Sequence, residues 1–85
     1  MKIYWYNGSK NVIGPAVRRL RKENGLTQKE LAEQVQLQGV EMDDLAVLRI
    51  EKGLRFAADY EVRALAEVFR VNMEELFSEE PDEET

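Results

Sequence analysis

The sequence predicts an all-α, compact five-helix domain with a short extended arm ahead of it and an acidic tail behind. Three observations carry that reading. Apolar residues recur at three- and four-residue spacing in successive segments, helix-capping residues stand just ahead of several of them, and glycines stand just past some of their ends. The arm is Lys2-Ile3-Tyr4-Trp5-Tyr6, rich in aromatic residues and followed by the turn signal Asn7-Gly8. A first helix spans about residues 13 to 24: Ile13, Val17 and Leu20, with Val12 before them, make its apolar stripe, Pro15 is tolerated only in its first turn, and Gly25 ends it. The second starts near Thr27, where a threonine followed three residues later by Glu30 forms a capping box, and Leu31, Ala32 and Val35 face the core. Gln36-Leu37-Gln38-Gly39-Val40 reads as a connection. The third helix runs from Asp43 to Lys52, with Val47 and Ile50 inward and Gly53 at the position where a helix end favours glycine. A fourth, capped by Asp59, places Tyr60, Val62, Leu65, Ala66 and Phe69 on its apolar stripe and Glu61 and Glu67 outside. Asn72 caps a short fifth helix ending in Leu76-Phe77. Short connections set sequential helices side by side, so the chain divides into an arm (1–10), a helical domain (11–77) and an acidic tail (78–85) expected to be disordered.

Composition excludes several function classes. Eighty-five residues make one small domain with little stability to spare. The chain has no cysteine and no histidine, so it lacks thiolate metal ligands, disulfides, the usual general base and the commonest zinc ligand; no metal and no cofactor is expected. The paired carboxylates of Asp43 and Asp44 are adjacent on a helix and diverge by about 100°, which suits no shared substrate, so an enzyme is not expected. The longest apolar runs, Ile3 to Tyr6 and Leu45 to Leu48, fall far short of the roughly 20 residues a membrane span needs. With no signal-peptide pattern after Lys2, a cytoplasmic protein is the expectation.

The net charge of −5 looks unsuited to a polyanionic partner until it is divided along the chain. Glu79, Glu80, Asp82, Glu83 and Glu84 crowd the last seven positions, and the rest of the chain is neutral. Within that body, Lys2, Lys10, Arg18, Arg19, Arg21, Lys22 and Lys29 face a single acid, Glu23, over the first 29 residues. Charges further apart than a Debye length of about 8 Å act nearly independently, so one face can attract phosphate although the total is negative. The tail reads as a solubilising segment.

The stretch Leu26 to Gly53, two short helices and their join, has the composition of a helix-turn-helix unit. Taken with Ile13-Gly14 to Leu20-Arg21, the block Gly25-Leu26-Thr27-Gln28-Lys29-Glu30-Leu31-Ala32, then Arg49-Ile50-Glu51-Lys52-Gly53, and Ala64-Leu65-Ala66 to Val71-Asn72-Met73-Glu74-Glu75-Leu76-Phe77, it resembles the helix-turn-helix regulators of the Cro and phage-repressor (XRE-like) type over about residues 12 to 77. The resemblance implies a lambda-repressor-like DNA-binding domain and a transcription regulator of double-stranded DNA. It implies that Gln28 touches the DNA backbone or a base edge, and that the third helix enters the major groove through Asp43, Asp44, Leu45, Ala46 and Arg49. It also implies an interior ion pair between Arg21 and Glu51, and backbone contacts from Lys52 and Arg55, with Lys29 a further phosphate candidate.

Two features depart from the family pattern. The span from Val35 to Arg49 is about five residues longer than usual, through Gln36 to Met42. The third helix also opens on two acids, which a duplex bearing one charge per about 1.7 Å repels unless something compensates. Asp43 has a structural reading as the N-cap, and Asp44 is able to accept a hydrogen bond from cytosine N4. A second function on the same fold is a protein-binding module that has lost DNA, with Asp44, Leu45 and Leu48 forming a surface for a basic or apolar protein partner. The arm likewise has two readings: it folds back over the apolar ends of the first and fifth helices, or it pairs edge to edge as a strand in a homodimer.

Overall fold

The computed structural model describes residues 8–77, and the aromatic arm residues Ile3 to Tyr6 and the acidic tail from residue 78 lie outside them. Among the described residues five helices follow in order: α1 Gly14–Glu23, α2 Gln28–Leu37, α3 Asp44–Glu51, α4 Asp59–Phe69 and α5 Met73–Leu76. Pro15 sits in the first turn of α1, where its missing N–H costs nothing. Thr27 caps α2 as its spacing predicts: its hydroxyl accepts from the Glu30 amide at 3.0 Å and the Glu30 carboxylate accepts from the Thr27 amide at 2.9 Å. Asp43 caps α3, accepting from the Ala46 amide at 2.8 Å. Gly53, at φ 73°, takes the left-handed turn that ends α3.

Two boundaries and one cap differ from the sequence reading. Gln36 and Leu37 continue α2, which ends with Gln38 as its C-cap just before Gly39 takes a left-handed turn at φ 86°. The connection that follows is anchored at both sides, since the Gln36 side chain donates to the Met42 carbonyl at 2.6 Å and Met42 itself is buried. Helix α4 begins at Asp59 itself, with Ala58 in the cap position, and the amide of Ala58 is met by Glu61. Asn72 precedes α5 as expected, but its side chain makes no cap hydrogen bond.

The core gathers one stripe from each helix. Ile13, Val17, Leu20, Leu31, Val35, Val47, Ile50, Leu65 and Leu76 are all buried there. Helix α3 packs on α2 and α1, α4 packs on α2, and α5 closes the base against α4 and α1. Tyr60 is a correction to the predicted stripe, being 55% exposed. Glu61 is the opposite correction: placed outside by its charge, it is buried. None of the described helices is long and apolar enough to cross a membrane.

Candidate nucleic-acid interface

Helix α3 is two-faced. Val47 and Ile50 turn into the core, while Asp44, Leu45 and Arg49 are exposed, Leu48 is half-buried beside them, and Lys52 at the C-cap is exposed. Positions 44, 45, 48, 49 and 52 share one face of a 3.6-residue helix, so this outward stripe is acidic at its start, apolar in its middle and basic at its end. Asp43 does not belong to the stripe's chemistry. One of its carboxylate oxygens is committed to the Ala46 amide, and the positive end of the helix dipole lies under it. Asp44 leans the same way, its Oδ1 accepting from the Leu45 amide at 3.0 Å.

What holds α3 at its angle is a hub around Glu51. Arg21 of α1 reaches it twice, Nε at 2.6 Å from Oε2 and Nη2 at 3.2 Å from Oε1, a forked arrangement that fixes geometry as well as charge. The third donor of the same guanidinium, Nη1, binds the Leu26 carbonyl at 2.8 Å. Gln28, on the first turn of α2, donates its Nε2 to Glu51 Oε1 at 3.1 Å. The Arg21 and Glu51 side chains are 12% and 3% exposed, so a single carboxylate fastens α1, α2 and the end of α3 in a nearly water-free site. Gln28 is thus tied to Glu51 through its amide nitrogen. Lys29, its neighbour, is exposed.

Asn11 completes the fastening from the other side. Its Oδ1 accepts from the Gly14 amide at 2.8 Å, and its Nδ2 donates to the Ile50 and Arg55 carbonyls at 3.1 and 2.8 Å. The sequence reading assigned Asn11 no role, because a lone asparagine before a helix is an ordinary turn residue.

Arg55, expected from the resemblance to touch the DNA backbone, is also bonded within the domain. Its guanidinium forks onto Glu61, Nη1 to Oε1 at 2.9 Å and Nη2 to Oε2 at 2.7 Å, and Nη1 also donates to the Phe56 carbonyl. This pair locks the loop after α3 to the start of α4. The spacing of Glu61 three residues past Ala58 was the available signal, since an acid at that place reaches back to the cap amide. Arg55 holds the Glu61 carboxyl below the usual carboxylate range; burial opposes that, and the Ala58 amide adds to it. A carboxyl whose folded pKa is depressed contributes stability above its unfolded pKa and loses it as pH falls through the folded value. Thermal melts between pH 7 and 2 should therefore show Glu61→Gln to be less stable at pH 7 by about 1 to 3 kcal/mol, discounted for the partly exposed arginine, and to lose less on acidification below about pH 4.5. Parallel pH curves for the two proteins would contradict this assignment.

An outward helix with a capped start, packed on α1 and α2 and fastened through its C-terminal end, is the architecture of a helix-turn-helix DNA-binding domain. The helix-turn-helix family model matches residues 17–76, and the chain belongs to that family, the XRE, Cro and lambda-repressor type of DNA-binding regulators, which are not normally enzymes. No curated protein and no solved structure matches the chain.

Proposed function

We propose that the protein is a sequence-reading regulator that lays the outward stripe of α3 in the major groove. The observation that carries this reading is the rigid presentation of α3: its exposed face is free of the core while its last turn is fixed by Glu51 and Asn11. Arg49 and Lys52 supply positive charge at the exit of the helix, and Leu45 supplies an apolar contact of the kind that fits a thymine methyl. Asp44 is the base-reading acid, aimed at a cytosine N4 amine. Asp43 serves as the cap and Arg55 as the loop lock, so neither is a primary DNA contact. At the start of α2 the capping box uses the amides of Thr27 and Glu30. Those of Gln28 and Lys29 remain without a partner among the described residues, which suits a phosphate oxygen at a helix N-terminus.

The test is selection of bound duplexes from a random pool, followed by anisotropy titration at two salt concentrations. Wild type should bind with an affinity that falls steeply with salt. Lys52→Ala should weaken all sequences alike and reduce the salt slope by about one, whereas Asp44→Asn should relax the preference at one base pair, worth about 1 to 3 kcal/mol. Failure of wild type to bind any duplex at low salt, with binding gained on Asp44→Arg, would overturn the proposal in favour of a protein-binding stripe.

A further inference from the structure

Away from α3, an apolar groove opens between the segment leading into α1, the loop before α4, and α5. Its volume is about 530 Å³, and Val12, Phe56, Val62, Met73 and Phe77 line it, with Lys10 at the rim. Three of these side chains are far more exposed than their size warrants: Phe56 is 52% exposed, Met73 47% and Phe77 49%. Lys10 covers only an edge of it, its ammonium 5.7 Å from the Phe56 ring centre. A contiguous apolar hollow on so small a domain marks a surface that something occupies.

We infer that the occupant is the chain's own N-terminal arm, with Ile3 and Trp5 as the side chains that fill the groove. Position argues first. Ser9, Lys10 and Asn11 line the groove, so the arm leaves from its wall, and Trp5 stands three residues before Gly8, a reach of about 10 Å. Chemistry argues second, because the groove is apolar and the arm carries Ile3-Tyr4-Trp5-Tyr6, a run of four consecutive apolar residues. Tethering argues third. A segment joined by a few residues competes at an effective concentration on the order of millimolar, well above that of a second copy in dilute solution. Size argues the same way, since a cavity of this volume seats one or two large side chains, whereas a stable subunit contact buries about 800 Å² per partner.

Seating the arm has a consequence for α3. The root of the arm is already bonded to the turn after that helix, Lys10 donating its amide to the Gly53 carbonyl at 2.9 Å and Asn11 donating to Ile50 and Arg55. Gly53 is also packed so closely on the Ser9 side chain that a Cβ there would collide with it. An arm held in the groove keeps this root in place and so steadies the exit of the outward helix.

Trp5 is the only tryptophan, so its fluorescence reports the arm directly in the full chain without added label. The native protein should emit to the blue of the urea-unfolded chain, with no change on hundredfold dilution. In a Met73→Lys, Phe77→Lys double variant the emission should move to the red while far-ultraviolet circular dichroism keeps its helical signal. Should that variant fail to fold, Phe56→Ser tests the same wall from the exposed loop. Three results would overturn the inference: native emission no bluer than the unfolded chain, a blue emission that survives the groove substitutions in a folded protein, or a blue shift that appears only as concentration rises and the mass doubles. The last would assign the arm to pairing between copies.

Discussion

Glu51→Ala is expected to lower stability by about 3 to 5 kcal/mol, because it strands a guanidinium and an amide that the fold has taken out of water. Arg21 would keep its bond to the Leu26 carbonyl but lose two others, at a site where its side chain is 12% exposed. Water has little access to replace the carboxylate, so the charge remains nearly uncompensated. For a domain of this size, that loss moves the thermal midpoint by more than about 10 °C. The sign of a second variant separates the cost of stranding a charge from the worth of the pair. Arg21→Met with Glu51→Leu removes both charges together and should recover most of the loss, since a buried pair replaced by apolar side chains of similar volume is often neutral. Should Glu51→Ala melt within a degree or two of wild type, the hub would be solvated and α3 held by packing alone.

The same hub shows what the residues disclosed and what they concealed. Thr27 with Glu30, Asp43, and Gly53 act through atoms at most three residues away, so their spacing alone reveals the starts of α2 and α3 and the end of α3. Partners that meet only in three dimensions leave no such trace. Gln28 lies 23 positions from Glu51, and Asn11 lies 39 from Ile50 and 44 from Arg55, so their ties were invisible in the linear chain. Charge alone puts Glu61 outside, whereas an arginine six residues earlier allows its carboxylate to be buried. Tyr60 shows the converse: helical spacing alone points it inward, yet it faces solvent. On α3 the periodicity separates Val47 and Ile50 from the outward positions, but it does not tell that Asp43 accepts from the Ala46 amide as a cap while Asp44 accepts from the adjacent Leu45 amide through Oδ1.

Gly14→Ala reverses the sign that helix propensity assigns it. Alanine is the better helix former by up to about 1 kcal/mol, and Gly14 is the first residue of α1 with no left-handed backbone to defend, so on local grounds the substitution should stabilise. Its surroundings decide otherwise. A Cβ at Gly14 would stand 2.5 Å from the Ile50 carbonyl oxygen and 2.9 Å from that of Glu51, and both are main-chain atoms of the last turn of α3, which cannot rotate away as a side chain tip does. Relief requires α1 and α3 to part by the better part of an ångström. That displacement falls on Asn11, whose amide bridges Gly14 and Ile50, and on the fork from Arg21 to Glu51. The expected cost is about 1 to 3 kcal/mol or more, a fall of at least about 4 °C in the thermal midpoint, and an unchanged or raised midpoint would show that the junction is loose. Because Gly14→Ala and Glu51→Ala damage one junction, they should not add: once the fork is gone, α1 is freer to move and the added methyl costs less. A double variant whose loss equals the sum of the two would mean that the close approach at Gly14 and the ion pair at Glu51 act independently. A smaller loss would show that they form a single clamp, through which the outward helix takes its angle from α1.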